Sequence, residues 1–406
     1  MAERIQVPKG TFDVLGDDAL ARDALVATAR RSLERAGYER IETPTFEATE
    51  LFARGVGASS DIVRKEMYTF TDGGGRSMTL RPEGTAPVCR AFLEHGMHKR
   101  PLPVKLWYLE TFFRAEQPQA GRFRQFWQIG AEAIGSADPA VDAELIVLLA
   151  EIYEALGVQG VELRLTSLGT PESRAEYRAE LQQWLRAQPD LPSAVRDRID
   201  DNPLRAFDAA PELMRDAPRL LERLSAEDLD HFATVRELLD GVGIAYAVDT
   251  TLVRGLDYYT HTLFEFTSSA LGAQSAVGGG GRYDGLIEQI GGPPTPGCGW
   301  AAGVERMLLS SQQAAVAPPP VELYVAGAQP AAFRLAADAR RAGHAARLEL
   351  AGRSTKGIFK QADRLGARYV ALVQEDGGVE LKDMETGTQQ SVPYGTVMHH
   401  IRGNQL

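Results

Sequence analysis

The stretch that most constrains this chain is residues 113–132, FRAEQPQAGRFRQFWQIGAE. A strand-like run, VKLWYLETFF, leads into it. Residues 117–122 carry the Pro and Gly of a polar turn, and residues 124–134 read as a second strand, so the pair makes a long hairpin. A side-chain period of two places Arg124, Phe126, Gln128 and Glu132 on one face. A cation, a ring, an amide and a carboxylate make a poor core face. They suit the floor of a site for a polar, charged, ring-bearing ligand, or equally a solvated sheet face with incidental ion pairs.

The flanking chain narrows the choice. A helix is expected from Asp17, read as its N-cap, to Ala36, with Leu25, Ala29 and Leu33 in its apolar stripe. Pro44 keeps the following strand out of a sheet centre and suggests an edge or a dimer contact. Residues 67–81, MYTFTDGGGRSMTLR, read as a hairpin turning at 73–75. Arg81-Pro82-Glu83-Gly84-Thr85 then makes a strand-to-helix corner, where carboxylate and hydroxyl can face a ligand or Thr85 can simply cap the helix. Another helix starts at Asp138-Pro139.

Residues 169–246 read as a helical insertion between two parts of one core, 1–168 and 247–314. Strand character returns in TTLVRGLDYYTHTLFEF, where adjacent Tyr258 and Tyr259 send one ring to each face. The glycine run at 278–281 marks either close backbone approach or a loose turn. Neither GxGxxG nor GxxxxGK[ST] occurs, so any phosphate is held by other means. Arg306 sits in the first turn of a helix, beside N–H groups that favour anions, or serves as a surface ion pair. Residues 315–321 form a Pro-rich linker to a small α/β domain at 322–406.

Composition closes off several classes. Hydrophobic content of 44% and charged content of 24% are those of a globular protein. No run of eighteen apolar residues exists, and the N-terminus lacks an apolar signal region, which predicts a cytoplasmic location without membrane contact. Two cysteines, Cys89 and Cys298, and seven scattered histidines give no disulfide framework and no metal-ligand pattern. The net charge of −11 argues against general nucleic-acid binding. The last domain, with 11 Lys/Arg against 9 Asp/Glu, can still hold a polynucleotide locally. Arg114, Arg254 and Arg306 fall in three separate segments, among Glu83, Glu116, Glu132 and Gln128. Arginine forks onto phosphate or carboxylate, and no Ser–His–Asp or Cys–His set is visible. That suits phosphoryl or nucleotidyl transfer by positioning and charge neutralisation.

The residues RPEGTA (81–86), FRAEQPQAGRFRQFWQ (113–128), LVRGLDYYTHTLFEF (252–266), GGGGRYDGL (278–286) and GVER (303–306), with PKGTFDVL (8–15), resemble class II aminoacyl-tRNA synthetases, most closely bacterial histidyl-tRNA synthetases. The resemblance spans almost the whole chain. It implies an α+β fold: a six-stranded antiparallel sheet flanked by helices, a helical insertion and a C-terminal α/β anticodon-binding domain, assembled as a homodimer. It implies ATP and Mg²⁺, with histidine and histidine tRNA as substrates, and no resident protein metal. By the same resemblance Arg114 and Arg254 are catalytic. Glu83, Thr85, Arg114, Gln128, Glu132, Arg254, Tyr258 and Tyr259 hold histidine, and Arg114, Glu116, Phe126 and Arg306 hold ATP. A non-catalytic relative, the regulatory subunit of ATP phosphoribosyltransferase, shares the core but usually lacks EGT and the last domain. The loop EQPQAGR departs from the usual ERPQKGR at Gln117 and Ala120, removing two positive charges that face the tRNA acceptor end.

Overall fold

The expected hairpin is the spine of the larger sheet. In the computed structural model, which describes residues 4–57, 60, 62–119, 121–197, 199–200, 203–252, 256–272, 275–312 and 320–402, the strands follow in chain order. They are β1 (Glu39–Arg40), β2 (Phe46–Ala48), β3 (Tyr68–Thr71), β4 (Ser77–Leu80), β5 (Val104–Phe113), β6 (Gln125–Ile134), β7 (Val161–Ser167), β8 (Ala247–Val248), β9 (Thr260–Ser268), β10 (Ala276–Arg282) and β11 (Gly297–Gly303). The main sheet has the order β1-β5-β6-β11-β10-β9-β7-β8. The six inner strands are antiparallel, and the two-residue edge strands β1 and β8 pair in parallel. This is the antiparallel sheet flanked by helices that the sequence implied.

The pleat separates two faces. Trp107, Ala131, Ala133, Trp300 and Ala302 belong to one core, together with Leu25 and Leu33 of helix Asp17–Arg35, Leu145 and Ile152 of helix Pro139–Ala155, and Phe232 of helix Ala226–Gly241. Fully burying a side chain such as Leu145 stabilises by roughly 1.5–3 kcal/mol. Leu106, Tyr108 and Leu263 belong to a second core with Val88 and Phe92 of helix Thr85–Glu94. Between these regions β10 and β11 present Gly279, Gly281, Gly299, Ala301 and Gly303 on the face they share with Gln128 and Glu132. The glycine run is therefore a strand, not a loose turn, and it leaves the sheet floor bare.

Two local expectations are corrected. Pro44 lies in no strand: the segment breaks between β1 and β2, because proline cannot donate to a ladder. Asp17 is the first helical residue rather than the cap; Gly16 occupies the cap position without a side-chain bond. A smaller sheet, β2-β4-β3, carries the residue 73–75 turn. The helical segments between β7 and β8 have a core of their own, with Tyr177, Leu181, Leu185, Val195, Phe207 and Leu220.

The chain divides into two compact units, Met1–Ala314 and Ala315–Leu406. In the second unit β12 (Leu323–Gly327), β13 (Ala346–Leu348), β14 (Tyr369–Val373), β15 (Gly378–Asp383) and β16 (Gln389–Pro393) make a sheet of order β13-β12-β14-β15-β16. Leu323, Val325, Leu335 and Val373 share its core.

Candidate active site

A buried polar pocket lies over the bare floor, and a wider cleft adjoins it. Glu83, Thr85, Tyr108, Arg114, Gln128, Leu256, Tyr258, Tyr259, Gly279 and Tyr283 line the inner pocket. Arg114, Glu116, Arg122, Phe123, Phe126, Gln128, Leu256, Glu265 and Arg306 line the outer cleft. Arg114, Gln128, Leu256 and Ala301 belong to both, so the two spaces share a wall.

The strand-to-helix corner supplies the first groups. The Glu83 carboxylate accepts from the N–H of Thr85 at 2.8 Å and of Ala86 at 3.0 Å, so it caps the helix that follows it. Burial nevertheless pushes its carboxyl above the usual range. The Thr85 hydroxyl turns away from the cap and donates to Glu132 Oε1 at 2.8 Å.

Glu132 is fully buried. It accepts from Tyr283 Oη at 2.7 Å and, more weakly, from Tyr108 Oη at 3.5 Å. Burial pushes its carboxyl up to about 8, although the hydroxyls pull the other way. Two glycines make room for this arrangement. A Cβ on Gly299 would sit 1.7 Å from Glu132 Oε2, and one on Gly130 would sit 2.2 Å from the Tyr108 ring.

Tyr258 packs against Tyr259 with ring centroids 4.8 Å apart and against Tyr283 at 5.9 Å. Gln128 Oε1 is buried and has no hydrogen-bond partner among the described residues. An amide oxygen left dry on a pocket wall calls for a donor from a ligand.

The cleft carries the cations. Arg114 donates from Nε to the Pro82 carbonyl at 3.0 Å and lies over the Phe126 ring at 5.3 Å. Arg306 donates to the carbonyls of Gly121 at 2.9 Å and Ala276 at 2.6 Å, tying the hairpin loop to the start of β10. Glu116 lies 3.3 Å from Arg122. Thus Glu83, Thr85, Arg114, Glu116, Phe126, Gln128, Tyr258, Tyr259 and Arg306 line these two spaces, and Glu132 lies directly beneath them, bonded to Thr85 and Tyr283. Arg254 and Ala120 lie outside the described residues.

Arg124 does not join the face it was expected to share. It precedes β6, and its guanidinium donates to the carbonyls of Glu116 and Lys9. Tyr108, Tyr283 and Glu305 were missed as site groups. Aligning the hairpin from its turn would have set Tyr108 opposite Gly130, next to Glu132. Glu305 holds the Trp127 N–H at 3.1 Å and Arg22 at 2.8 Å, and burial raises its carboxyl. Nothing local in the sequence marks that long-range pairing.

Glu116 and Glu265 are the remaining carboxylates on the cleft, and among the described residues no three His, Cys, Asp or Glu gather into a metal cage. Such a sparse donor set fits Mg²⁺ that arrives with phosphates and takes one or two protein oxygens.

An antiparallel six-stranded floor, a helix-capping glutamate at its corner and arginines around an adjoining cleft define a class II aminoacyl-tRNA synthetase catalytic domain. A family model for histidyl-tRNA synthetase matches residues 10–307. The histidine–tRNA ligase of Desulforudis audaxviator is 48% identical over 98% of this chain and 98% of its own length. That of Pelotomaculum thermopropionicum is 45% identical over 97% of each. The apo histidyl-tRNA synthetase of S. aureus superposes with a TM-score of 0.81 at 33% identity, covering 98% of this chain and all of that one. An ATP phosphoribosyltransferase regulatory subunit/histidyl-tRNA synthetase from Bacillus halodurans shares the fold, with a TM-score of 0.68 at 22% identity. The chain belongs to the histidyl-tRNA synthetase family.

Proposed function

We propose that the chain is an ATP-dependent histidine–tRNA ligase, which activates histidine as histidyl-adenylate and transfers it to the 3′ end of histidine tRNA. The observation that carries this reading is the shared wall: a small polar pocket and a nucleotide-sized cleft meet at Arg114 and Gln128. An amino-acid carboxylate and an α-phosphate would be adjacent there, and proximity with charge neutralisation suffices for in-line attack.

In this reading the histidine α-ammonium binds Glu83, Thr85 and Gln128, and its donors satisfy the dry Gln128 oxygen. Glu132, Tyr258 and Tyr259 serve the imidazole. Arg114 and Arg254 hold the carboxylate and α-phosphate oxygens together, Phe126 stacks on adenine, Glu116 meets its amino group and Arg306 takes the γ-phosphate. Mg²⁺, when bound, would neutralise phosphate charge, with Glu265 the cleft carboxylate that would hold it. The second unit reads the anticodon, the segment 169–246 is the inserted domain, and two chains form a homodimer in the cytoplasm. Among the described residues no helix is long and apolar enough to cross a membrane.

The deciding experiment is histidine-dependent ATP–pyrophosphate exchange, followed by aminoacylation of histidine tRNA. Exchange with histidine and with no other amino acid is expected, because burial without the imidazole leaves polar groups unpaired. Absence of exchange by well-folded protein would return the chain to the regulatory-subunit reading.

A further inference from the structure

The N-terminal PKGTF turn, which the catalytic reading leaves without a task, packs against the outer side of the hairpin loop. Thr11 closes the turn, donating from its N–H at 3.1 Å and its hydroxyl at 2.8 Å to the Pro8 carbonyl. The Arg124 N–H donates to the Gly10 carbonyl at 2.8 Å. The Arg124 guanidinium bridges Lys9 O at 3.4 Å and Glu116 O at 3.1 Å, so one side chain joins the turn to the first residues of the loop. The Phe12 ring packs on Phe123 with centroids 4.7 Å apart. Gly10 has φ +89°, and a Cβ there would lie 2.8 Å from Pro118 and 2.9 Å from Arg124. The loop it touches carries Glu116, Arg122 and Phe123 to the cleft.

We infer that the Pro8–Phe12 turn is a positioning element that sets the hairpin loop for the nucleotide. Arg306 also holds the loop, its Nε donating to Gly121 O, and a guanidinium has further N–H donors with which to meet phosphate. The turn grips the loop through the Arg124 guanidinium, the Glu116 carbonyl and the Phe123 ring, so it can keep Glu116, Arg122 and Phe123 in place while Arg306 meets phosphate. The inner pocket is lined mainly from β5, β6, β10, β11, the Glu83 corner and residues 256–259, and the hydrogen bonds of the turn lead to it through Arg124, whose carbonyl accepts from the Arg114 N–H at 3.0 Å. Loosening the turn therefore affects ATP, whose cleft the loop lines with Glu116, Arg122 and Phe123, far more than histidine.

This inference rests on the ligase reading, and wild-type exchange tests that separately. In full-length chain, Phe12→Ala and Gly10→Ala are each expected to raise the ATP KM in pyrophosphate exchange by about tenfold, a modest share of what a misplacement near 1 Å can cost. The histidine KM should stay within about twofold, and Phe12→Tyr, which keeps the ring contact, should restore the ATP KM. Unchanged ATP KM in both alanine variants overturns the proposal. So does a parallel rise of both KM values with a fall in melting temperature, since that marks a merely structural role. If wild-type protein shows no exchange at all, the ligase reading fails instead, and ATP affinity measured by calorimetry on the same variants decides the positioning role.

Discussion

At the scale of single residues, Glu132 concentrates the physics of the site. Burial penalises the charge and pushes its carboxyl up to about 8 in the fold, from an ordinary value near 4.5. Between those values the folded chain keeps a proton that the unfolded chain releases. The group's stabilising contribution is therefore fully present below about 4.5 and is lost as pH rises through about 8. Glu132→Gln cannot titrate, so its melting temperature should gain on the wild type as pH rises from about 5 to 8, by an amount reflecting a few kcal/mol. Thermal melts at intervals across that window check it, and a constant difference would remove the charge from the account. The same variant should weaken histidine by about tenfold or more, because an amide NH2 in place of a carboxyl oxygen leaves buried polar groups mispaired, at about 1–3 kcal/mol. A second residue tests the pocket's shape. Gly130→Ala forces the Tyr108 ring to move from a Cβ at 2.2 Å, which should cost about 1–3 kcal/mol in stability. Steady-state kinetics should show the histidine KM rising more than the ATP KM.

At the scale of elements, the hairpin and the helix corner were legible, because each rests on local chemistry, whereas the glycine run at 278–281 was left open between close backbone approach and a loose turn and is a strand. Alternation announced β6, the Pro-Glu-Gly-Thr corner announced helix Thr85–Glu94, and the family motifs named the groups to watch. What stayed hidden depends on register or on distant partners. Tyr283 becomes a site group only because its hydroxyl reaches Glu132, 151 residues away in sequence. Arg81 is a similar case. It begins the helix corner, yet its buried guanidinium pairs with the Glu110 carboxylate and donates to Thr43 O at 2.7 Å and Thr111 O at 2.8 Å. Thr43 in turn donates its hydroxyl to Glu110 at 2.9 Å. One cation thus pins the segment before Pro44, the end of β5 and the Glu83 corner together. Arg81→Ala strands a buried carboxylate and should lower stability by about 3–5 kcal/mol, whereas Glu110→Gln with Arg81→Met should recover most of that loss. Urea titrations of the single and double variants check the difference. Equal destabilisation would show that the pair adds nothing beyond packing.

At the scale of the whole molecule, the smaller sheet has an apolar face whose outer rings, Phe46 and Phe70, belong to none of the first unit's cores among the described residues. The register puts Phe46, Leu80, Tyr68, Phe70 and Met78 on one side, and Thr69, Thr79 and Ser77 on the other, where their hydroxyls bond to one another and to Thr49. Phe46 and Phe70 remain 50% and 42% exposed, with rings in edge contact at 5.9 Å. Aromatic rings clustered on a surface suit a self-complementary contact about a two-fold axis. The chain should therefore run at twice its 44.2 kDa mass in light scattering after size exclusion. Phe46→Glu with Phe70→Glu should shift it to the monomer mass. The sheet continues from β4 directly into Arg81 and the Glu83 corner, so loss of the dimer should also loosen the inner pocket. Histidine-dependent exchange is then expected to fall with the mass, by about tenfold or more for a misplacement of about 1 Å. A monomeric variant that exchanges at the full rate would sever the assembly from the site, and a wild type that is already monomeric at micromolar concentration would remove the dimer altogether.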